Sequence, residues 1–221
     1  MKECEINNLY DLEKTIAKKL MEKYTYPWEV LAHIKEYILQ LGETLSEDEY
    51  NKLGENIWIH KTAKVFPSAY IGENTSVCAN AEIRHCAFIR GNAIIGENTV
   101  VGNSTELKNV ILFNNVQVPH YNYVGDSILG YKSHMGAGSI TSNVKSDKRL
   151  VIIKKGNDVV ETGIKKVGAM IGDNVEVGCG SVLNPGTIIG RNTNIYPLSS
   201  VRGVVKENSI YKNQNDVVEK Q

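Results

Sequence analysis

Net charge, paired cysteines and long apolar segments are the features that this 221-residue sequence lacks. Basic and acidic residues are equal in number, at 25 each, so no overall attraction to nucleic acid or to an anionic membrane surface is expected. The four cysteines form no Cys-x-x-Cys pair, which argues against a zinc knuckle and favours reduced thiols in a cytoplasmic protein. No segment approaches the ~18 apolar residues of a membrane span, and the polar N-terminus has no signal-peptide core.

Aliphatic side chains recur at every sixth position over most of the chain. The first run comprises Ile59, Val65, Ile71, Val77, Ile83, Ile89, Ile95, Val101 and Leu107, and the second comprises Ile171, Val177, Leu183, Ile189, Ile195 and Val201. Between the runs the period continues with slips at Val118, Val124, Leu129, Met135 and Ile140. Neither the helix nor the strand period explains a repeat of six, whereas a triangular coil with one flat face and one corner per repeat does. We therefore predict a left-handed parallel β-helix over residues 57–210.

The residues after each inward position agree with tight corners. Glycine follows directly at Gly72, Gly96, Gly102, Gly125, Gly130, Gly136, Gly172, Gly178 and Gly190, and asparagine comes two residues later at Asn74, Asn98, Asn174 and Asn192. Both residue types tolerate positive φ, so we expect that conformation at the corners. Scarce aromatic residues, at 7%, also suit a narrow prism.

Residues 1–56 are predicted to form a helical cap or arm. Apolar residues recur there at spacings of three and four, at Leu9, Leu12, Ile16 and Leu20 and then at Val30, Leu31, Ile34, Ile38 and Leu41. Pro27 suits the first position of a helix, and Gly42 suits its end. A capping box of Ser46 and Glu49 predicts a third helix that ends near Gly54.

Residues 142–168 interrupt the repeat. Two β-rich runs, Leu150–Ile153 and Val159–Ile164, flank a turn at Lys155–Asp158, which predicts a hairpin or an extended loop leaving the prism. Such an insertion lies near the binding site in many repeat proteins, although a purely decorative loop is equally consistent with the pattern. Residues 211–221 are expected to be a C-terminal tail.

Polar residues that interrupt the repeat are the candidates for chemistry. Arg90 and Lys108 are 18 residues apart, so the coil should stack them on one face, where two cations could hold a phosphate. His120 and Tyr123 lie where the period slips, in a segment that also contains Asp126. The small residues of Met135–Ser139 would let a long flexible cofactor approach the backbone closely.

These motifs resemble a known family. The segments Glu106-Leu107-Lys108, His120-Tyr121-Asn122-Tyr123-Val124-Gly125-Asp126 and Gly136-Ala137-Gly138-Ser139-Ile140-Thr141-Ser142-Asn143 are similar to the acetyltransferase half of the bifunctional UDP-N-acetylglucosamine pyrophosphorylase / glucosamine-1-phosphate acetyltransferases. The resemblance spans residues 57–205. It implies an acetyl-CoA-dependent N-acetyltransferase for an amino-sugar phosphate, assembled as a homotrimer with sites between subunits.

The resemblance also implies a role for each matching residue. His120 would be the general base, Arg90 and Lys108 would hold the sugar phosphate, and Tyr123 and Asn143 would line the sugar site. An imidazole suits this role because its pKa lies near neutrality.

Two further positions, Ala137 and Cys179, fall where the family contacts acetyl-CoA. Cys179 is expected to be a small buried residue there and not a nucleophile.

The sequence departs from the family pattern at several points. His134 stands where the family usually has asparagine in the site, and Val144 replaces a tyrosine. The 142–168 insertion is longer than the family's loop. Residues 1–56 contain no glycine-rich nucleotide-binding signature and are too few for the nucleotidyltransferase domain, so uridylyl transfer is not expected.

Plainer alternatives stay open. His120, Arg90 and Lys108 would then be solvated surface groups, Tyr123 a packing residue between subunits, and Asn143 a corner residue. The alternative for the whole chain is a non-catalytic trimeric module related to sugar-phosphate nucleotidyltransferases. A third alternative is a β-helical carbonic anhydrase, but the histidines lack the closely spaced pair of its zinc ligands, and no metal site is expected.

Overall fold

The computed structural model describes residues 1–220, so the last residue of the predicted tail lies outside it. The chain forms the predicted left-handed parallel β-helix, a triangular prism with three faces. Face 1 contains β2 (Ile57–His60), β5 (Thr75–Val77), β8 (Ala93–Ile95), the end of β10 (Glu106–Leu112), the end of β12 (Tyr123–Leu129), β17 (Ala169–Ile171), β20 (Thr187–Ile189) and β23 (Val204–Val205).

The other two faces stack in the same order. Face 2 contains β3 (Lys64–Val65), β6 (Glu82–Ile83), β9 (Val100–Asn103), β11 (Gln117–His120), β13 (His134–Met135), β18 (Glu176–Val177), β21 (Asn194–Ile195) and β24 (Ser209–Asn213). Face 3 contains β4 (Tyr70–Ile71), β7 (Phe88–Ile89), the starts of β10 and β12, β14 (Ile140–Thr141), β19 (Val182–Leu183) and β22 (Ser200–Val201). These strands pair in parallel with the neighbouring coils, on both sides inside the prism and on one side at its ends.

The six-residue period places its aliphatic residues inside the prism. From Val77 to Val201 the predicted inward side chains are buried, with one exception: the prediction for Ile140 is wrong, because Ile140 points outward and Thr141, which pairs with Leu183, points inward instead. Val65 in the first coil is 37% exposed because no coil lies above it. The slips are coils shortened by one residue: Glu106 pairs with Phe88 eighteen residues before it, but with Tyr123 seventeen residues after it.

Asparagine and glycine serve different purposes at the corners. Asn74, Asn98 and Asn174 have φ values of 55–56°, as predicted. The glycine directly after each inward residue does not adopt positive φ, and that part of the prediction is wrong. Gly136 shows the actual reason for glycine, because a Cβ there would lie 2.6 Å from the backbone nitrogen of Cys179 in the next coil.

The N-terminal arm contains short helices instead of the long ones predicted. They are α1 (Ile6–Leu9), α2 (Lys18–Met21), α3 (Pro27–Val30) and α4 (Ile34–Gly42), with 3-10 turns at Lys2–Cys4, Leu12–Lys14 and Leu31–His33. Pro27 and Gly42 begin and end helices as predicted. The single helix expected from Leu9 to Leu20 is broken because its backbone bonds the β-helix: the carbonyl of Leu9 accepts from the Asp173 amide at 3.0 Å.

The third predicted helix does not form. Its residues instead include β1 (Tyr50–Lys52), which pairs antiparallel with β2. Ser46 still accepts a hydrogen bond from the Asp48 amide at 3.1 Å, but this local turn ends at once. Pairing with the exposed edge of β2 satisfies more backbone groups than one further helical turn would.

The arm covers the outer surface of face 1. The residues of the face 1 strands that point away from the prism interior are nevertheless fully buried, namely Ile94, Ile111, Ile128, Met170 and Ile188. Tyr10 stacks on Phe113 with ring centroids 5.1 Å apart and donates to the carbonyl of Ile128 at 3.4 Å. Asp173 accepts from the Asp11 and Tyr131 amides at 2.7 and 2.8 Å, which fixes the arm to two coils.

The insertion forms the predicted hairpin, β15 (Ile152–Lys155) and β16 (Asp158–Glu161). Val151 and Ile153 are buried against the last coils, and Lys155 pairs with Glu3 of the arm at 2.6 Å. The segment predicted as a tail contains β25 (Asp216–Glu219), which pairs antiparallel with β24. The longest α-helix of residues 1–220 has nine residues, and none of their helices has the length and apolarity of a bilayer span.

Candidate active site

Two edges of the prism border face 3, and they carry most of the predicted site residues. The 2–3 edge is the column of corners between faces 2 and 3, and it contains His120, Ala137 and Cys179 in successive coils. The 3–1 edge is the column between faces 3 and 1, and it contains Lys108 and Asp126. Face 3 therefore lies between the candidate base and the candidate phosphate ligands.

A buried carboxylate organises the 3–1 edge. Asp126, with 4% of its side chain exposed, accepts from Lys108 Nζ at 2.8 and 3.0 Å. It also accepts from Asn109 Nδ2 at 3.0 Å and from Asn143 Nδ2 at 2.6 Å. A buried charge is tolerated when it is paired and hydrogen-bonded in this way. The ammonium of Lys108 is thus held at one place on face 3.

Tyr123 joins this cluster through Asn143. Its hydroxyl accepts a hydrogen bond from Asn143 Nδ2 at 3.2 Å, so the amide bridges the phenol and Asp126. Burial, followed by the negative charge of Asp126, raises the pKa of Tyr123, so its phenol is neutral at physiological pH. The structure therefore brings Lys108, Tyr123 and Asn143 together in one hydrogen-bonded group.

Arg90 stacks one coil above Lys108, as their spacing predicts, since Ile89 pairs with Leu107. Its guanidinium Nη1 lies 2.9 Å from Glu106 Oε1, and this hydrogen bond raises the pKa of Arg90. Both predicted phosphate ligands are thus already paired with a carboxylate. The two pairs differ, because 48% of the Arg90 side chain is exposed against 26% of that of Lys108.

His120 is exposed on the 2–3 edge, and its backbone is tightly held. Its amide donates to Asn122 Oδ1 at 3.1 Å, and its carbonyl accepts from the Gly138 amide at 3.0 Å. The buried Asn122 side chain in turn donates to the carbonyls of Gly136 and Ser139 at 2.9 and 3.0 Å. The imidazole forms no hydrogen bond within residues 1–220, so it is available to a ligand.

Ala137 and Cys179 continue the same edge below His120. The Gly180 amide donates to the carbonyl of Ala137 at 2.8 Å, which stacks the two corners. The amides of Ala137 and Cys179 themselves donate no hydrogen bond within the described chain. Cys179 is exposed, so the prediction that it is buried is wrong: corner residues point away from the prism.

His134 lies apart from both edges. It stands at an outward position of face 2, where its Nδ1 is 2.8 Å from Glu176 Oε2 in the next coil. The structure therefore does not place His134 among the hydrogen-bonded partners of the other candidates. Within residues 1–220, no three His, Cys, Asp or Glu side chains converge as metal ligands.

Sequence reasoning assigned no role to the residues that pair with the candidates, namely Glu106, Asn109, Asp126 and Glu176. A usable signal exists, because partners in adjacent coils are 17 or 18 residues apart, as in Lys108–Asp126. The spacing of 18 residues that stacks Arg90 on Lys108 therefore also relates Lys108 to its carboxylate partner. A search for acid–base pairs at the coil spacing would have found Asp126.

Two family models match the chain. Residues 77–160 match the GMPPB C-terminal domain, and residues 168–203 match the bacterial transferase hexapeptide, six repeats. The bifunctional protein GlmU of Methanococcus maripaludis (strain DSM 14266) is 32% identical over 199 residues, which cover 88% of this chain and 48% of that protein. A bifunctional sugar-1-phosphate nucleotidylyltransferase/acetyltransferase of Sulfurisphaera tokodaii is 28% identical, over 84% of this chain and 47% of that protein.

Among solved structures, a hexapeptide transferase family protein from Anaplasma phagocytophilum aligns with a TM-score of 0.43 at 15% identity, over 75% of this chain and 79% of that chain. The present chain spans less than half the length of either curated relative. The matched part of this chain includes both edges of face 3.

Proposed function

Because the chain is a hexapeptide-repeat left-handed β-helix domain of the GlmU-like kind, we propose that it is an acyltransferase that N-acetylates an amino-sugar phosphate such as glucosamine-1-phosphate, with acetyl-CoA as co-substrate. The observation that carries the proposal is the position of His120. Its free imidazole shares one edge with the unbonded amides of Ala137 and Cys179, and face 3 joins that edge to the Lys108 cluster.

In the proposed reaction, His120 takes a proton from the sugar ammonium or from the amine as it attacks. The amine nitrogen forms a bond to the thioester carbonyl carbon, and the carbon–sulfur bond then breaks to release coenzyme A as the thiolate, which is protonated by solvent or by the imidazolium. Unpaired backbone amides on the 2–3 edge are the kind of hydrogen-bond donor that stabilises the oxyanion formed when the amine attacks the thioester. Ala137 and Cys179 supply such amides for the acyl-CoA.

On the 3–1 edge, Arg90 and Lys108 bind the phosphate of the acceptor, and Tyr123 and Asn143 contact its sugar. Each cation has a carboxylate partner, so the phosphate adds to a preformed ion pair or replaces Glu106 at the more exposed Arg90. A lysine with a fixed position suits a site that must hold the amine in line with a thioester.

We further propose a homotrimer with the site between subunits. The arm and hairpin cover face 1, so faces 2 and 3 remain for association. Face 3 carries two exposed aromatic residues, Tyr70 and Phe88, whose centroids are 5.5 Å apart. Exposed aromatic pairs of this kind are typical of interfaces.

The test is thiol release from acetyl-CoA with a panel of amino-sugar phosphates that includes glucosamine-1-phosphate. His120→Ala is expected to reduce kcat by ~10²–10⁴-fold, the usual contribution of a general base. His85→Ala is the matched control, because His85 is an exposed histidine of the same edge in an earlier coil. Equal turnover in both variants would refute the role of His120.

A non-catalytic β-helix module is the second candidate function. The pairing of both Arg90 and Lys108 with carboxylates favours it, because neither cation is free in the chain. A folded protein that neither turns over nor binds acetyl-CoA, as measured by calorimetry, would establish this alternative.

A further inference from the structure

The corners of the 3–1 edge form a column in which a charged residue stands out. This column has φ values of 55°, 52°, 54° and 47° at Asn74, Asn92, Asn109 and Asp126. Asparagine meets the need for positive φ as well as aspartate does. The corner therefore does not demand the carboxylate of Asp126, and its charge needs another explanation.

The explanation lies in the side chains that donate hydrogen bonds to the carboxylate of Asp126. Removing a carboxylate from water is costly unless several donors replace the water. Three side chains converge on Asp126: Lys108, Asn109 and Asn143. Two of the three are candidate ligands of the acceptor, and neither is fixed by any other charged group within residues 1–220.

Asn109 connects this cluster to the helical arm. Its Nδ2 donates both to Asp126 Oδ1 at 3.0 Å and to the backbone carbonyl of Leu31 at 3.2 Å. Leu31 begins the 3-10 turn that separates α3 from α4, and its side chain is buried. A continuous hydrogen-bonded path therefore runs from the arm through Asn109 and Asp126 to Lys108 and Asn143.

We propose that Asn109 and Asp126 are positioning residues of the candidate active site, and that the arm holds them in place through Leu31. The inference rests on the proposed function, and it assigns the arm a role in acceptor binding. Asp126 fixes the ammonium of Lys108 and the amide of Asn143, while the Leu31 carbonyl fixes the orientation of Asn109.

The kinetic test compares Asn109→Gly with Asn92→Gly. Both corners have φ near +50°, which glycine tolerates, but only Asn109 bonds Asp126 and Leu31. Asn109→Gly is expected to raise KM for glucosamine-1-phosphate by about tenfold, the loss of one hydrogen bond to a charged group, with KM for acetyl-CoA unchanged. Asn92→Gly should leave both constants unchanged. Equal constants in the two variants, at matched melting temperatures, would overturn the proposal.

A second measurement does not depend on turnover. Lysine acylation by a soluble activated ester, followed by peptide mass spectrometry, reports how firmly Lys108 is held. Asp126→Asn keeps a residue type that suits the corner and removes the charge, so Lys108 should label about fivefold faster, since a charge-assisted hydrogen bond is lost. Lys64, with 68% of its side chain exposed, should label at an unchanged rate.

The two measurements separate the possible failures. Faster labelling of Lys108 in a protein without acetyltransferase activity would retain the positioning role and refute the proposed function. Unchanged labelling of Lys108 in Asp126→Asn would overturn the positioning role even in an active enzyme.

Discussion

Face 1 and face 3 share the strands β10 and β12 but present different surfaces. β10 and β12 pass through both faces, yet Ile111 and Ile128 on face 1 are fully buried, whereas Glu106 and Tyr123 on face 3 are partly exposed. The difference arises from the arm, which packs on face 1 alone. Coil geometry thus fixes where side chains point, and the added segments decide which face is free for ligands.

The largest effect on stability is expected from a charge introduced on face 1 beneath the arm. Ile128→Asp puts an unpaired carboxylate at a fully buried outward position of face 1, and it should lower the free energy of unfolding by at least ~3 kcal/mol. Ser200→Asp, at an exposed outward position of face 3, is the control and should change it by less than ~0.5 kcal/mol. Urea denaturation measures both, and similar losses would mean that the arm does not seal face 1.

A second prediction concerns the pH dependence of the arm contact. Burial raises the pKa of Tyr10 well above its ordinary value, and Asp173 adds to the shift. Above pH ~10 the unfolded chain ionises Tyr10 while the folded chain keeps it neutral, so this contribution to stability is lost as pH rises. Between pH 10 and 11 the unfolding free energy of Tyr10→Phe should fall less steeply than that of the wild type, by up to ~1.4 kcal/mol per pH unit. Parallel slopes in urea titrations would contradict the burial of this phenol.

A third prediction tests face 3 directly. Tyr123→Phe removes the hydroxyl that accepts from Asn143 at 3.2 Å and should raise KM for the amino-sugar phosphate about fivefold, as for one neutral hydrogen bond. Tyr121→Phe is the control, because Tyr121 is 62% exposed and, within residues 1–220, its hydroxyl bonds only Asn103. An equal KM for the two variants would return Tyr123 to the role of a packing residue.

The smallest effect on stability, but a visible effect on association, is expected at Phe88. Phe88→Asp alters a side chain that is 44% exposed, so unfolding of the isolated chain should change by less than ~0.5 kcal/mol. If face 3 joins subunits, the same substitution places a charge in the interface and shifts the protein from trimer to monomer in light scattering. An intact trimer would exclude Phe88 from the interface.

The prism was predictable because its signal is local. Each aliphatic residue of the six-residue repeat faces inward for the same geometric reason, so Ile95 and Ile189 could be placed without knowing their neighbours. The third helix of the arm failed because Tyr50 pairs with His60 in another strand, which no helical pattern records. Of the candidate site, the cations and His120 could be predicted by type and spacing, but Asp126 could be named only as part of the His120 segment, because the side chains that it binds lie in other coils.

The contact between Leu9 and Asp173 sets the order in which the molecule can be completed during synthesis. The arm leaves the ribosome before the β-helix, and the amide that bonds the Leu9 carbonyl belongs to Asp173, which is synthesised long afterwards. Until that coil has formed, part of the surface that buries Tyr10 and its apolar neighbours is missing. Contacts between residues so distant along the chain form slowly. The nascent arm therefore exposes apolar surface and is prone to aggregation until the β-helix has been synthesised past Asp173.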